Sequence, residues 1–432
     1  MDFPDRADID GLVEPQPLPS FARVRYEPPA DTVDDPVETA RSELGRLDLD
    51  SLAPGSTVAV GVGSRGIHGL ADVATAVTSL LADRGFEPVV VPAMGSHGGA
   101  TAAGQREVLE ALGVTEERVG APIDARMEAE LLAEVDVDGL STPVYFSRAA
   151  LEADAVLVIN RVKPHTNFSG SLESGLCKMV VAGLGKQRGA KSFHSTAIDR
   201  GYVPTLEAVF DAIADAAPLL GGVALVENFY EETAHIEAVP AGAFLDREPE
   251  LLERAKAEMA TLPVDDVDLL VVDELGKDVS GAGMDTNVIG RYRVLNTADP
   301  ETPRIKLVYV RGLTARTKGN GNGIGLADVT RQSAIDQLDV QKTYANALTS
   351  GSLAKAQLPV VAPDDEFALR ISLSALGGYD PDTVRILWVE NTQDLSELYV
   401  SRAVVDDLPE AASVVGEATV SFTDGTASFE PR

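Results

Sequence analysis

Ala155-Val-Leu-Val-Ile-Asn160 is an unbroken apolar run rich in β-branched residues, and a strand of that kind has to be covered on both faces, as strands of parallel sheets are. Its neighbours repeat the theme. Thr57–Gly63 and Pro88–Pro92 read as strands, with Leu70–Arg84 and Gly104–Leu112 as helices around them, so the pattern predicts a βαβ rhythm and an α/β fold. In such sheets ligands gather beyond the carboxyl ends of the strands. Three loops fall there: Gly63-Ser-Arg65, Gly95-Ser-His97-Gly-Gly and Arg161-Val-Lys-Pro-His165.

Helices expected near Val203–Leu220 and Ala243–Ala260 flank a strand at Gly222–Glu227, and the rhythm then restarts with strands at Asp268–Asp273, Lys306–Val310 and Val384–Val389. The expectation is two α/β domains with mainly parallel sheets and an interdomain cleft, residues 1–255 and residues 262–432. Glycine-rich loops at 276–285 and 318–325 belong to the second. The first fifty residues, rich in Pro and Asp, are expected to wrap the surface with a helix near Pro36–Arg46.

The 432 residues carry 36 Lys and Arg against 68 Asp and Glu, a formal charge of −32 spread along the chain. Dispersed carboxylates suit a halophilic setting, where salt screens charge over only about 3 Å near 1 M. Nucleic acid and anionic membrane are unfavourable partners for such a surface. A single cysteine, Cys177, forms no internal disulfide and offers no Cys-x-x-Cys metal site. The acidic N-terminus has no basic-then-apolar signal, and no apolar run reaches the roughly 18 residues of a membrane span; a cytoplasmic location is the expectation.

Reactive side chains are concentrated. Residues 160–194 hold Cys177, two of five histidines (His165, His194) and four of ten lysines (Lys163, Lys178, Lys186, Lys191), and no lysine precedes Lys163. His97 lies in a glycine-flanked turn after a strand, a place for a general base or for a ring that merely caps the following helix. His165 follows Pro164 in a constrained loop and suits an acid or base. His194 sits in an expected helix, where one ring nitrogen could hold a metal. Lys178 lies among apolar neighbours that would lower its pKa and raise its nucleophilicity, unless its stem packs while the ammonium reaches water. Lys163, Lys186 and Arg188 suit an anion such as a cofactor phosphate, and Arg65 the bidentate capture of a carboxylate. Lys277, Asp285 and Arg291 form a charged group beside glycines in the second domain. His68 and His235 read as structural.

Taken together, Gly95-Ser-His97, Pro164-His165, the Ser/Gly-rich loop leading to Lys178, and His194 resemble the N-terminal domain of the nickel-pincer lactate racemase family of 2-hydroxyacid racemases and epimerases. The resemblance covers roughly residues 50–225. It implies a pyridinium thiocarboxamide mononucleotide tethered to Lys178, nickel held by that cofactor and by His194, acid/base roles for His97 and His165, and a substrate carboxylate on Arg65. Lys163, Lys186 and Arg188 would then hold the cofactor phosphate, and Lys277, Asp285 and Arg291 in the second domain would contact the small-molecule 2-hydroxy acid. Such an enzyme is an isomerase working by reversible hydrogen transfer through a 2-oxo acid.

This chain departs from that pattern in three places. The family's acidic residue three positions before its substrate arginine falls at Val62, the loop from His165 to Lys178 is three residues longer, and the tether segment reads Gly175-Leu-Cys-Lys178. A substrate other than lactate is expected. Two other readings stay open: a non-catalytic cofactor- or ligand-binding homologue, and a metal-free lysine Schiff-base enzyme.

Overall fold

A computed structural model describes Pro4 and residues 6–432. The chain divides into two compact units. One comprises Ala30–His165 and Ser169–Met259; the other comprises Ala260–Arg432, the segment up to Pro29 and the three residues Thr166–Phe168. The expected boundary therefore needs a correction at the N-terminus. Strand β1 (Phe21–Tyr26) hydrogen-bonds strands from the far end of the chain, because its alternating buried and exposed residues fit an antiparallel sheet with one covered face.

The first unit is built on strands β2 (Thr57–Val62), β3 (Glu87–Pro92), β6 (Ala155–Arg161), β7 (Leu219–Glu227) and β8 (Thr233–Pro240), in the order β3-β2-β6-β7-β8, with a separate antiparallel pair, β4 (Ala129–Val137) and β5 (Leu140–Ser147). Strands β3, β2, β6 and β7 run parallel, and β8 returns antiparallel to β7. Val60 faces Leu157 and Val62 faces Ile159 across the central pair. The apolar run that opened the sequence reading is this central β6, and Ala155 to Ile159 are all buried. Each such Val or Leu contributes about 1.5–3 kcal/mol on burial.

Helix Leu70–Asp83 packs Val73, Val77 and Leu81 onto this sheet, the spacing that one face of a helix supplies. It ends where Gly85 takes a φ of +84°: the N–H of Gly85 reaches Ala82 O and that of Phe86 reaches Leu81 O. This closing motif favours glycine because a Cβ disfavours the left-handed conformation. From β6 to β7 the chain makes a loop, a short helical turn at Leu176–Lys178, a π-helical turn at Met179–Gly183, and the helices Lys186–Arg200 and Tyr202–Ala216. Wide π turns recur at functional sites.

The second unit holds one nine-stranded sheet made of β1 with β9 (Asp266–Val272), β10 (Arg304–Val310), β11 (Val329–Arg331), β12 (Val360–Ala362), β13 (Ile386–Val389), β14 (Glu397–Ser401), β15 (Ala412–Thr423) and β16 (Thr426–Pro431). The order is β12-β11-β10-β9-β13-β14-β1-β15-β16. It is parallel from β12 to β13 and antiparallel beyond, so the expected parallel α/β core is present and carries an antiparallel extension. At its carboxyl ends the buried Asp365 accepts from Tyr309, Arg311, Arg331 and the Ala427 N–H, a buried polar network in place of an apolar plug.

Candidate functional site

Parallel neighbours place their carboxyl ends side by side, so β3, β2 and β6 deliver the loops of His97, Arg65 and His165 to one edge of the first sheet. The His97 loop is fixed from beneath. Gln105 donates to the carbonyls of Gly95 (2.9 Å) and His97 (3.3 Å), and the His97 N–H reaches Met94 O. Gly98 has φ +64°, and a Cβ there would sit 2.4 Å from the Gly104 carbonyl carbon, so the tight turn requires glycine. Ser64, on the neighbouring loop, brings its Oγ to 2.5 Å from His97 Nδ1.

His165 is held by a residue that sequence reasoning missed. Glu173, its side chain wholly buried, accepts the His165 N–H at 2.6 Å, the Gly170 N–H at 3.1 Å and the Ser169 hydroxyl at 3.3 Å, and pairs with Lys256. A backbone bridge between Lys163 and Ser174 closes the loop. Glu173 had a signal to be found by: it is the lone acidic residue between Asp154 and Asp199 in a chain rich in carboxylates.

The helical turn that carries Lys178 begins on Glu248, another residue sequence reasoning missed, whose Oε2 accepts the Cys177 N–H at 2.9 Å. Burial pushes the Glu248 carboxyl up to about 7. Lys178 keeps part of its surface in solvent while protein crowds its amine. Burial, with the Arg65 charge second, pulls its pKa down to about 7 against an opposing pull from Glu173. His194 is half-buried on helix Lys186–Arg200; burial first, then Lys178 and His97, lower its pKa to about 3, which keeps the imidazole neutral. Arg65 reaches the surface, yet surrounding protein and the Arg161 charge also pull its pKa down. These mutual influences place Arg65, His97, Lys178 and His194 in one electrostatic neighbourhood. Tyr202, also missed, stands near both His165 and His194, its ring centroid 6.4 Å from the first and 6.5 Å from the second.

Other sequence expectations move. Lys186 is fully buried and donates to Pro92 O at 2.7 Å, with Gln105 Oε1 at 3.5 Å, so its ammonium braces the His97 loop instead of meeting a phosphate. Arg188 is exposed, with its guanidinium 5.7 Å from the Tyr145 ring centre, and Lys163 is half-buried. In the second unit Arg291 is used up by its own fold: it donates to the carbonyls of Leu326, Ile305 and Lys306 and pairs with Asp328 at 2.6 Å, which corrects its expected substrate role. Asp285 caps the turn Thr286–Ile289, and Lys277 donates to Gly281 O. Val62, where the family pattern has an acid, is sealed in the sheet core. The backbone N–H of His68 donates to Glu227, which also pairs with Arg161, and the His235 ring meets Glu237 on β8.

Among the described residues no three or more His, Cys, Asp or Glu side chains are grouped to hold a metal. His194 is a single neutral nitrogen donor, so a metal bound there takes its other ligands from a bound group. A half-neutral amine at Lys178 suits covalent attachment of such a group. The residues present therefore fit a tethered, metal-bearing cofactor.

Among solved structures, the lactate racemase apoprotein from Thermoanaerobacterium thermosaccharolyticum is similar at 14% identity and a TM-score of 0.52, over 86% of this chain and 100% of that one. The likeness shows a lactate-racemase-like fold. No curated protein matches the sequence, and no helix among the described residues is long and apolar enough to cross a membrane. The family described as a domain of unknown function, DUF362, matches residues 70–301, more than half of the chain, and the chain belongs to that family.

Proposed function

We propose that the chain is an isomerase, a racemase or epimerase of a 2-hydroxy acid that uses a nickel-pincer nucleotide on Lys178. The observation that carries this reading is the shared neighbourhood of Lys178 and His194 with Arg65 and His97. When bound, such a cofactor would supply nickel and a hydride acceptor. Lys178 provides the amine for attachment and His194 a neutral nitrogen for the metal. Lys163 and Arg188 supply positive charge for a cofactor phosphate. Arg65 holds the substrate carboxylate, so a planar 2-oxo acid stays bound while it turns over. His97 and His165 take and return the hydroxyl proton, one for each hand of the substrate.

Intact-mass and metal analysis of protein from its native host tests the proposal. An adduct on Lys178 with nickel near one per chain is expected; unmodified Lys178 without nickel, in cells that make the cofactor, rejects it. The buried Val62 favours a second reading, a homologue that binds the cofactor without turnover, in which the adduct forms but the substrate's carbon-bound hydrogen does not exchange. The lowered pKa of Lys178 also suits a metal-free Schiff base, which borohydride would trap with His194 dispensable.

A further inference from the structure

We propose that the helix Val340–Ser350 in the second unit is a self-association surface, on which a second copy of this chain packs antiparallel about a two-fold axis beside Tyr344. Six of the thirteen large apolar side chains that stand exposed among the described residues fall in one short stretch: Val340, Tyr344, Leu348, Leu353, Leu358 and Val360. Single exposed apolar side chains are ordinary, whereas a cluster of them marks a place of association. Val340, Tyr344 and Leu348 are 53%, 55% and 70% exposed, and steps of four residues put them in one stripe along the helix. Other residues fasten the helix to its own unit. Thr343 and Ala347 are buried, and the Thr343 hydroxyl accepts the Gly321 N–H at 3.0 Å. Leu353 follows in a helical turn that packs against the helix.

Charge and symmetry select the occupant. Residues 340–363 contain neither Asp nor Glu, although 68 of the 432 residues are acidic and the net charge is −32. Two such chains repel over most of their surfaces, and this face lets them approach without opposed carboxylates. Lys342, the sole charged residue of the helix, lies on the side away from the stripe and pairs with Asp339 at 3.0 Å. The stripe also reads alike in both directions, with one apolar residue four places before Tyr344 and another four places after it. In an antiparallel pair Val340 therefore meets the partner's Leu348, while the two Tyr344 rings meet at the centre, where aromatic anchors contribute most. Strand pairing is closed to this edge. β12 is the outer strand of its sheet, and Pro359 and Pro363 flank its three residues, which blocks a longer ladder and leaves the contact to side chains.

The test is sedimentation velocity on the full-length, cofactor-free protein at micromolar concentration, in concentrated potassium chloride that screens the remaining repulsion. The wild type is expected to sediment as a dimer. Leu348→Glu, which sets a carboxylate on each facing stripe, is expected to give a monomer, and Leu131→Glu, at an exposed apolar residue of β4, to leave the dimer intact. Circular dichroism reports that each variant is folded. Tyr344→Cys reads the geometry directly, because the native Cys177 is buried and contributes no background. Mild oxidation is expected to link two copies through position 344, and to link none in Lys342→Cys on the far side of the helix. A monomeric wild type overturns the proposal and leaves the face to a different protein. A dimer that survives Leu348→Glu, one that is lost equally in Leu131→Glu, or a Tyr344→Cys protein that does not cross-link overturns it as well.

Discussion

The buried Glu173 carboxylate accepts the backbone N–H of His165 at 2.6 Å, so an acid eight residues along the chain sets where that histidine stands. Glu173→Ala would leave the part-buried N–H donors of His165 and Gly170 without their acceptor, at about 1 kcal/mol each. Urea unfolding should show a loss of that order. Glu173→Gln, which keeps one acceptor, should lose less, and equal stability of all three proteins would refute the role.

Lys178 gives a pH signature. Its folded pKa of about 7 lies below the ordinary value of 10.5, so between these the unfolded chain binds more protons and stability rises with pH. Below about pH 7 both states are protonated and the full cost of the buried ammonium is felt. Lys178→Met should therefore raise Tm more at pH 6.5 than at pH 10. Peptide mapping after amine acylation should show Lys178 in the cofactor-free protein reacting with a midpoint near pH 7; a midpoint near that of surface lysines would contradict the site's electrostatics.

Arg291 tests the corrected assignment. Its guanidinium serves three carbonyls and Asp328 inside the second unit, and Arg291→Met should cost about 2–3 kcal/mol of stability by stranding those acceptors. KM should stay within about twofold in any turnover assay, because the expected loss lies in the fold. A large rise in KM at unchanged stability would reinstate a substrate contact.

His194 is the sole protein donor assigned to nickel. His194→Ala, purified from the native host, should retain the Lys178 adduct and lose most of its nickel by elemental analysis, with unchanged circular dichroism. Full nickel content in that variant would remove His194 from the site.

Much of the sheet architecture could be read from composition along the chain, because buried parallel strands such as β6 announce themselves as unbroken apolar runs. Strand β1 could not be read so easily: Phe21–Tyr26 alternates, and its partners lie hundreds of residues away. The site divides in a similar manner. His97, His165, Lys178 and His194 stood out because their residue types are scarce here, whereas Glu173 and Glu248 belong to a common type, and their work and that of Tyr202 depend on which loop they fold against. Lys186 and Arg291 misled for the complementary reason: a cation near glycines looks like an anion site until a carbonyl is found to occupy it.

The placement of β1 between β14 and β15 also imposes an order on biogenesis. Phe21 faces Ser401 on one side and Ala418 on the other, so a ribosome releases this strand long before its partners exist. At about 5–20 residues per second the wait is some tens of seconds. During that interval the first sheet can close by itself, while the second unit stays an unfinished edge until translation nears its end.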